Sequence, residues 1–151
     1  MPLLDIIANN NDKGSKKMNK QVLVLCDDNS ALSILAQAIL NKYLADIEVQ
    51  SAGIKAVKSI DKNVKAALVK DGSWSDTYTT KAVDTLLENE YDLVISLSEK
   101  ASKKMPEFSD NTTVIAIEYD DENYENSTNL ERLIKTLKME LIPITRDVLE
   151  L

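Results

Sequence analysis

The sequence predicts an α/β domain in three layers, with a four-stranded parallel sheet between helices. Three observations predict it. Short apolar or β-branched runs at 21–25, 46–51, 91–97 and 112–118 have strand length, and the first is apolar enough to be covered on both faces. Segments with apolar residues at helical spacing separate those runs. Strands alternating with helices in this way imply right-handed β-α-β crossovers.

Each element has its own reason. Residues 1–20 read as a flexible extension, because 9–17 is polar, contains Gly14 and lacks periodicity. The domain is expected to occupy 21–151. After the first strand, 30–44 reads as a helix with Leu35, Ile39 and Tyr43 on one stripe. The second strand is expected to end before Gly53. Residues 61–70 form the next predicted helix, with Val64 and Leu68 inward and Gly72 as its stop. A short amphipathic helix is expected at 80–89, before the third and fourth strands. A long helix over 127–151 buries Leu130, Leu133, Ile134, Leu137 and Leu141, with Pro143 expected to kink or interrupt it.

Composition excludes several classes of function. The chain has 151 residues, and its net charge of −7 offers no basic stripe for nucleic acid. The apolar run at 3–7 is too short and interrupted for a signal peptide or a membrane span. The only cysteine, Cys26, cannot form an intramolecular disulfide and suits a reducing compartment, so a cytoplasmic location is expected. No cofactor and no metal site are implied. Histidine is absent, which leaves carboxylates, lysine and tyrosine for acid–base chemistry.

The most informative stretch closes the first strand: Cys26-Asp27-Asp28-Asn29-Ser30-Ala31-Leu32-Ser33. A cysteine between a strand end and a helix start sits where loop amides and the positive helix end favour a thiolate and an anion. The side chains oppose that use. Asp27 and Asp28 bring negative charge, and Leu32 offers neither charge nor donor. Asp28 or Asn29 also reads as a cap for the following helix.

Cys-x-x-Asn-Ser-x-x-Ser in this position resembles the low-molecular-weight protein tyrosine phosphatases and the thioredoxin-coupled arsenate reductases of the same fold. In that family the loop runs Cys-x5-Arg-Ser/Thr, and the arginine grips the oxyanion through both nitrogens. The resemblance assigns Cys26 as nucleophile, Asn29 as the loop-shaping residue and Ser33 as the hydroxyl beside the thiolate. It puts Leu32 in the arginine's place. Further likeness lies in Ser51-Ala52-Gly53, in Asp71-Gly72 with Thr79-Thr80, and in the strand at 93–97. Within 118–122, Asp121 matches the family's general acid and Glu122 replaces the proline that follows it. Ser98 and Met105 fall near the two further cysteines of the reductases' redox relay, so cycling of that type is excluded on residue inventory.

These residues imply a phosphatase- or reductase-like protein that has lost catalysis and acts as a binding or regulatory module. Asp27, Asp28 and Asp121 would form an acidic cleft suited to a protein partner or a cationic ligand. The alternative is a divergent phosphatase that hydrolyses a phosphotyrosine-type monoester through a Cys26 phosphoenzyme, with Asp121 as general acid. A lysine from elsewhere would then replace the arginine.

Overall fold

The computed structural model describes residues 19–27, 29, 31–54, 59–119 and 127–151. Four strands, β1 (Lys20–Cys26), β2 (Ile47–Gly53), β3 (Leu93–Ser96) and β4 (Thr113–Ala116), form one sheet in the order β2-β1-β3-β4. All three pairings are parallel. The helices are α1 (Leu32–Tyr43), α2 (Lys62–Asp71), α3 (Glu99–Lys104) and α4 (Ser127–Leu149). The predicted three-layer α/β architecture is what the chain adopts.

Side-chain alternation along β1 divides the core. Val22, Val24 and Cys26 face one cluster with Leu35, Ile39, Leu68 and Leu137 of the three larger helices. Leu23 and Leu25 face a second cluster with Val94, Ala101 and Val83. Period-two alternation in a strand buried on both sides requires apolar residues at every position, which explains the uniform run from Val22 to Leu25.

Local signals set the ends of α2. The Asp61 side chain accepts from the Asn63 and Val64 amides at 2.8 and 3.2 Å. Gly72 adopts φ +81° just past the last turn, a left-handed geometry that glycine enters without a Cβ penalty. In α4, Pro143 does not interrupt the helix. The missing proline N–H leaves the Met139 carbonyl without its helical donor. Met139 and Pro143 both lie on the solvent side, where water can supply that bond.

Two expectations need correction. The predicted helix over 80–89 is only a single 3₁₀ turn, Val83–Leu86. The backbone before it is already committed: Gly53 and Ala82 form a parallel bridge, and the Gly53 amide donates to the Lys81 carbonyl at 2.8 Å. Gly53 is correspondingly the last residue of β2, not a stop beyond it. The sequence reading also passed over α3. That helix buries only Ala101, so it has no apolar period; its marks are the Ser98 cap, Glu99 in the first turn and Lys103 and Lys104 in the last.

Candidate functional site

From β1 the chain crosses to β2 on one side, while β3 and β4 lie on the other. Loops leaving neighbouring strands in opposite directions open a crevice at their carboxyl ends. Cys26 ends β1 at that switch point, paired in register with Gly53. The Ile54 amide is shared between the Cys26 and Asp27 carbonyls at 3.1 and 3.0 Å, which pins the start of the loop to the end of β2.

The loop turns at Asn29, whose φ is 63° and whose side chain is fully buried. Asparagine is one of the few residues other than glycine that visits this region at modest cost. Its amide is spent on the turn. The Lys81 backbone N–H donates to Asn29 Oδ1 at 2.8 Å, which leaves Nδ2 to donate to Ser33 Oγ at 2.7 Å. Ser33 Oγ lies 2.9 Å from Cys26 Sγ. A hydroxyl that already accepts from Asn29 retains its own proton for sulfur, so the chain Lys81–Asn29–Ser33–Cys26 is built to donate towards a thiolate. Cys26 is 5% exposed and Ser33 fully buried, so the relay operates away from bulk water.

The position that should hold a cation does the opposite. Leu32 begins α1, is 2% exposed and belongs to the first core cluster. The two arginines of the chain, Arg132 and Arg146, are exposed residues of α4. Lys81 contributes its backbone to the relay, but its ammonium turns back to the Thr79 carbonyl at 3.2 Å. Burial holds the Lys81 side chain below the ordinary lysine pKa.

Of the two residues expected to cap α1, Asp28 lies outside the described residues and Asn29 is engaged elsewhere. The N-cap residue of α1 is Ala31, and Asn29 gives its side chain to Lys81 and Ser33 instead of the first-turn amides. Asp27 lies partly exposed at the loop entrance. Asp28, Ser30 and Asp121, with Asp120 and Glu122, lie outside the described residues. Of the two positions compared with redox cysteines, Ser98 caps α3 by accepting from the Ala101 amide at 3.1 Å, and Met105 packs on the second cluster.

Trp74 and Tyr78 anchor their loop, as an aromatic pair more often does than rim a cleft. Their rings meet edge to face at 5.6 Å and pack against the first cluster. Tyr119, the last described residue before 120–126, donates to Glu140 at 3.2 Å. Burial and the Glu140 charge push its phenol up to about 12. Among the described residues no group of three or more cysteines and carboxylates gathers as a metal site, and no helix is long and apolar enough to cross a membrane. The sequence reading missed Lys81; the neighbouring Thr79-Thr80 was the only mark of its segment.

A β1–loop–α1 unit with a buried cysteine under an asparagine turn, in a 2-1-3-4 parallel sheet, defines a class of cysteine-loop phosphatase folds. Residues 21–138 match the family model described as low molecular weight phosphotyrosine protein phosphatase, and the chain belongs to that family. It is 32% identical over 117 residues to an arsenate reductase of Halalkalibacterium halodurans, covering 76% of this chain and 84% of that protein. Similarity to an arsenate reductase of Bacillus subtilis is 34% over 89 residues, covering 58% of this chain and 63% of that protein's length. Among solved structures, the arsenate reductase of Archaeoglobus fulgidus superposes with a TM-score of 0.70 at 21% identity. That match covers 82% of this chain and 97% of the other, and it extends the agreement in fold.

Proposed function

We propose that this chain keeps the phosphatase fold but no longer turns over a phosphate monoester or arsenate, and that it works as a binding or regulatory module. The burial of Leu32 in the core, where the family's loop carries arginine, supports the reading most directly. Phosphoryl transfer through cysteine needs donors on the equatorial oxygens as charge develops there. Removing one such donor typically costs about 3 kcal/mol of transition-state stabilisation. Replacing a bidentate guanidinium by an isobutyl group removes two at once. Arsenate reduction through a thiol relay needs further sulfurs, and this sequence holds one.

On the family resemblance Asp121 would join Asp27 and Asp28 at one acidic cleft, which would suit a protein segment or a cationic ligand in the cytoplasm. The test is hydrolysis of a small aryl phosphate by the full chain against Cys26→Ser. Equal rates are expected. Turnover well above the control, inhibited by vanadate, overturns the reading.

One observation favours a second reading, that of a divergent phosphatase forming a phosphoenzyme on Cys26 with Asp121 protonating the leaving group. The Cys26–Ser33–Asn29 relay is intact at 2.9 and 2.7 Å. A relay of this kind steadies a thiolate without supplying the cation that binds its substrate. For that reason we place it second.

A further inference from the structure

We propose that the cleft between α2 and α4 is a docking site for an acidic, amphipathic peptide segment of a partner protein. It is a surface separate from the Cys26 loop and does not depend on how that loop is read. The cleft has a volume of about 350 Å³. Its floor is apolar, built from Ala67 of α2 and Ile134 of α4. Three lysines, Lys70, Lys135 and Lys138, line it against two carboxylates, Asp71 and Glu131. In a chain of net charge −7 this is a locally cationic concavity.

The pairing pattern decides what the cleft can accept. Glu131 lies four residues before Lys135 on α4, the spacing and order that favour an in-helix pair. It instead reaches across the cleft to Lys70 at 2.7 Å. Asp71 takes Lys138 at 2.6 Å. Both carboxylates are therefore committed, and Lys135 stands exposed with no ion pair or hydrogen bond to any described residue. Beside it, the Lys138 ammonium also lies 4.8 Å from the Tyr43 ring centre, and Tyr43 is 40% exposed. Met139, four residues after Lys135 on α4, is 70% exposed.

An unpaired ammonium at the rim, an apolar floor below it and an exposed methionine beyond it match a ligand that alternates carboxylates with apolar side chains. Charge complementarity selects the acidic peptide. A basic peptide would meet the unpaired Lys135 with both carboxylates already taken by Lys70 and Lys138, and a purely apolar one would leave Lys135 unanswered.

The test uses the full chain and a short helical peptide with glutamate and leucine on one face, followed by NMR titration of backbone amides. Shifts should concentrate at Ala67, Lys70, Ile134 and Lys135. A peptide with glutamine for glutamate should bind at least about tenfold more weakly, and Lys135→Glu should lose a comparable factor. Lys135→Gln, which keeps an uncharged stem, should fall between. Because Lys135 is exposed and unpaired, these variants should melt with the wild type, and Cys26→Ser should bind the peptide unchanged. Absence of binding, equal binding of the glutamine peptide, or full affinity in Lys135→Glu overturns the proposal.

Discussion

The loop after β1 and the charged junction around Asp71 both tie distant segments together with polar side chains, yet they do so in opposite settings. In the loop, Asn29 and Ser33 are fully buried and hydrogen-bonded to each other. At the junction, Asp71 joins α1, α2 and α4: its carboxylate takes Lys138 at 2.6 Å and its carbonyl takes Lys42 at 2.9 Å. Those groups are partly wet, with 31% of the Lys138 side chain exposed. Burial raises the cost of losing a partner because water cannot replace it. Exposure lowers that cost and leaves the charges available to a ligand. The loop is therefore a scaffold whose polar groups serve each other, and the junction is a surface whose charges remain in play.

The largest effect is expected at Asn29. Asn29→Ala removes both amide contacts, orphans the Lys81 N–H and forces alanine into a φ of 63°. The unsatisfied donor and the left-handed backbone together should cost about 3 kcal/mol in denaturant unfolding. Asn29→Gly loses the same hydrogen bonds but relieves the backbone, and should recover about 1 kcal/mol of that loss. Equal stability of the two variants would mean that the turn carries no conformational cost. A loss within experimental error for both would end the description of the loop as a buried, self-satisfied network.

A smaller effect, with a distinctive pH dependence, is expected at Asp71. Burial alone would raise its pKa, but the Lys138 hydrogen bond and the Lys138 and Lys42 charges outweigh it and hold the carboxyl below the ordinary 3.8. A carboxylate with a depressed folded-state pKa contributes stability that is complete above its unfolded value. That contribution is lost as pH falls through the folded value. Asp71→Asn should therefore cost about 1 kcal/mol near neutrality. The gap to wild type should close as pH drops below 3.8. A gap that persists at lower pH would show that the residue acts through packing and not through its charge.

How far each region was legible in the sequence follows from the same contrast. Cys26, Asn29 and Ser33 lie within eight residues between a strand and a helix, so chain geometry brings them together and the family's loop pattern could be matched to them residue by residue. Lys81 enters the same network from 52 residues away through its backbone N–H, which carries no residue-type signature. The short turn at Val83–Leu86 escaped for a related reason. Its apolar spacing suits a helix, but the bridge to Gly53 claims the preceding backbone. At the junction, Tyr43, Asp71 and Lys138 come from three helices; periodicity placed Tyr43 on the apolar stripe of α1, yet it is 40% exposed, because at the last turn of the helix its ring turns to the Lys138 and Lys42 ammoniums. Helix periodicity gave the buried stripe of α4, with Leu133 only half-buried at its edge, while the exposed face that builds the cleft has no period to detect.

The smallest stability change should come from Lys70→Met, and it separates the two settings most cleanly. Lys70 and Glu131 form a short ion pair at 2.7 Å, with side chains 76% and 54% exposed. Their hydrogen bond raises the lysine pKa and lowers that of the glutamate. Solvent screens such a pair, and holding two long side chains in one geometry offsets what attraction remains. Glu131 also has a substitute partner four residues along α4 in Lys135, so losing Lys70 lets the in-helix pair form. The variant should melt with the wild type. Lys135 would then no longer be unpaired, and the acidic peptide should bind more weakly although Lys135 itself is unchanged. A clear fall in melting temperature would place this pair with the buried loop; unchanged stability with undiminished peptide affinity would show that Lys135 does not depend on Glu131 being held across the cleft.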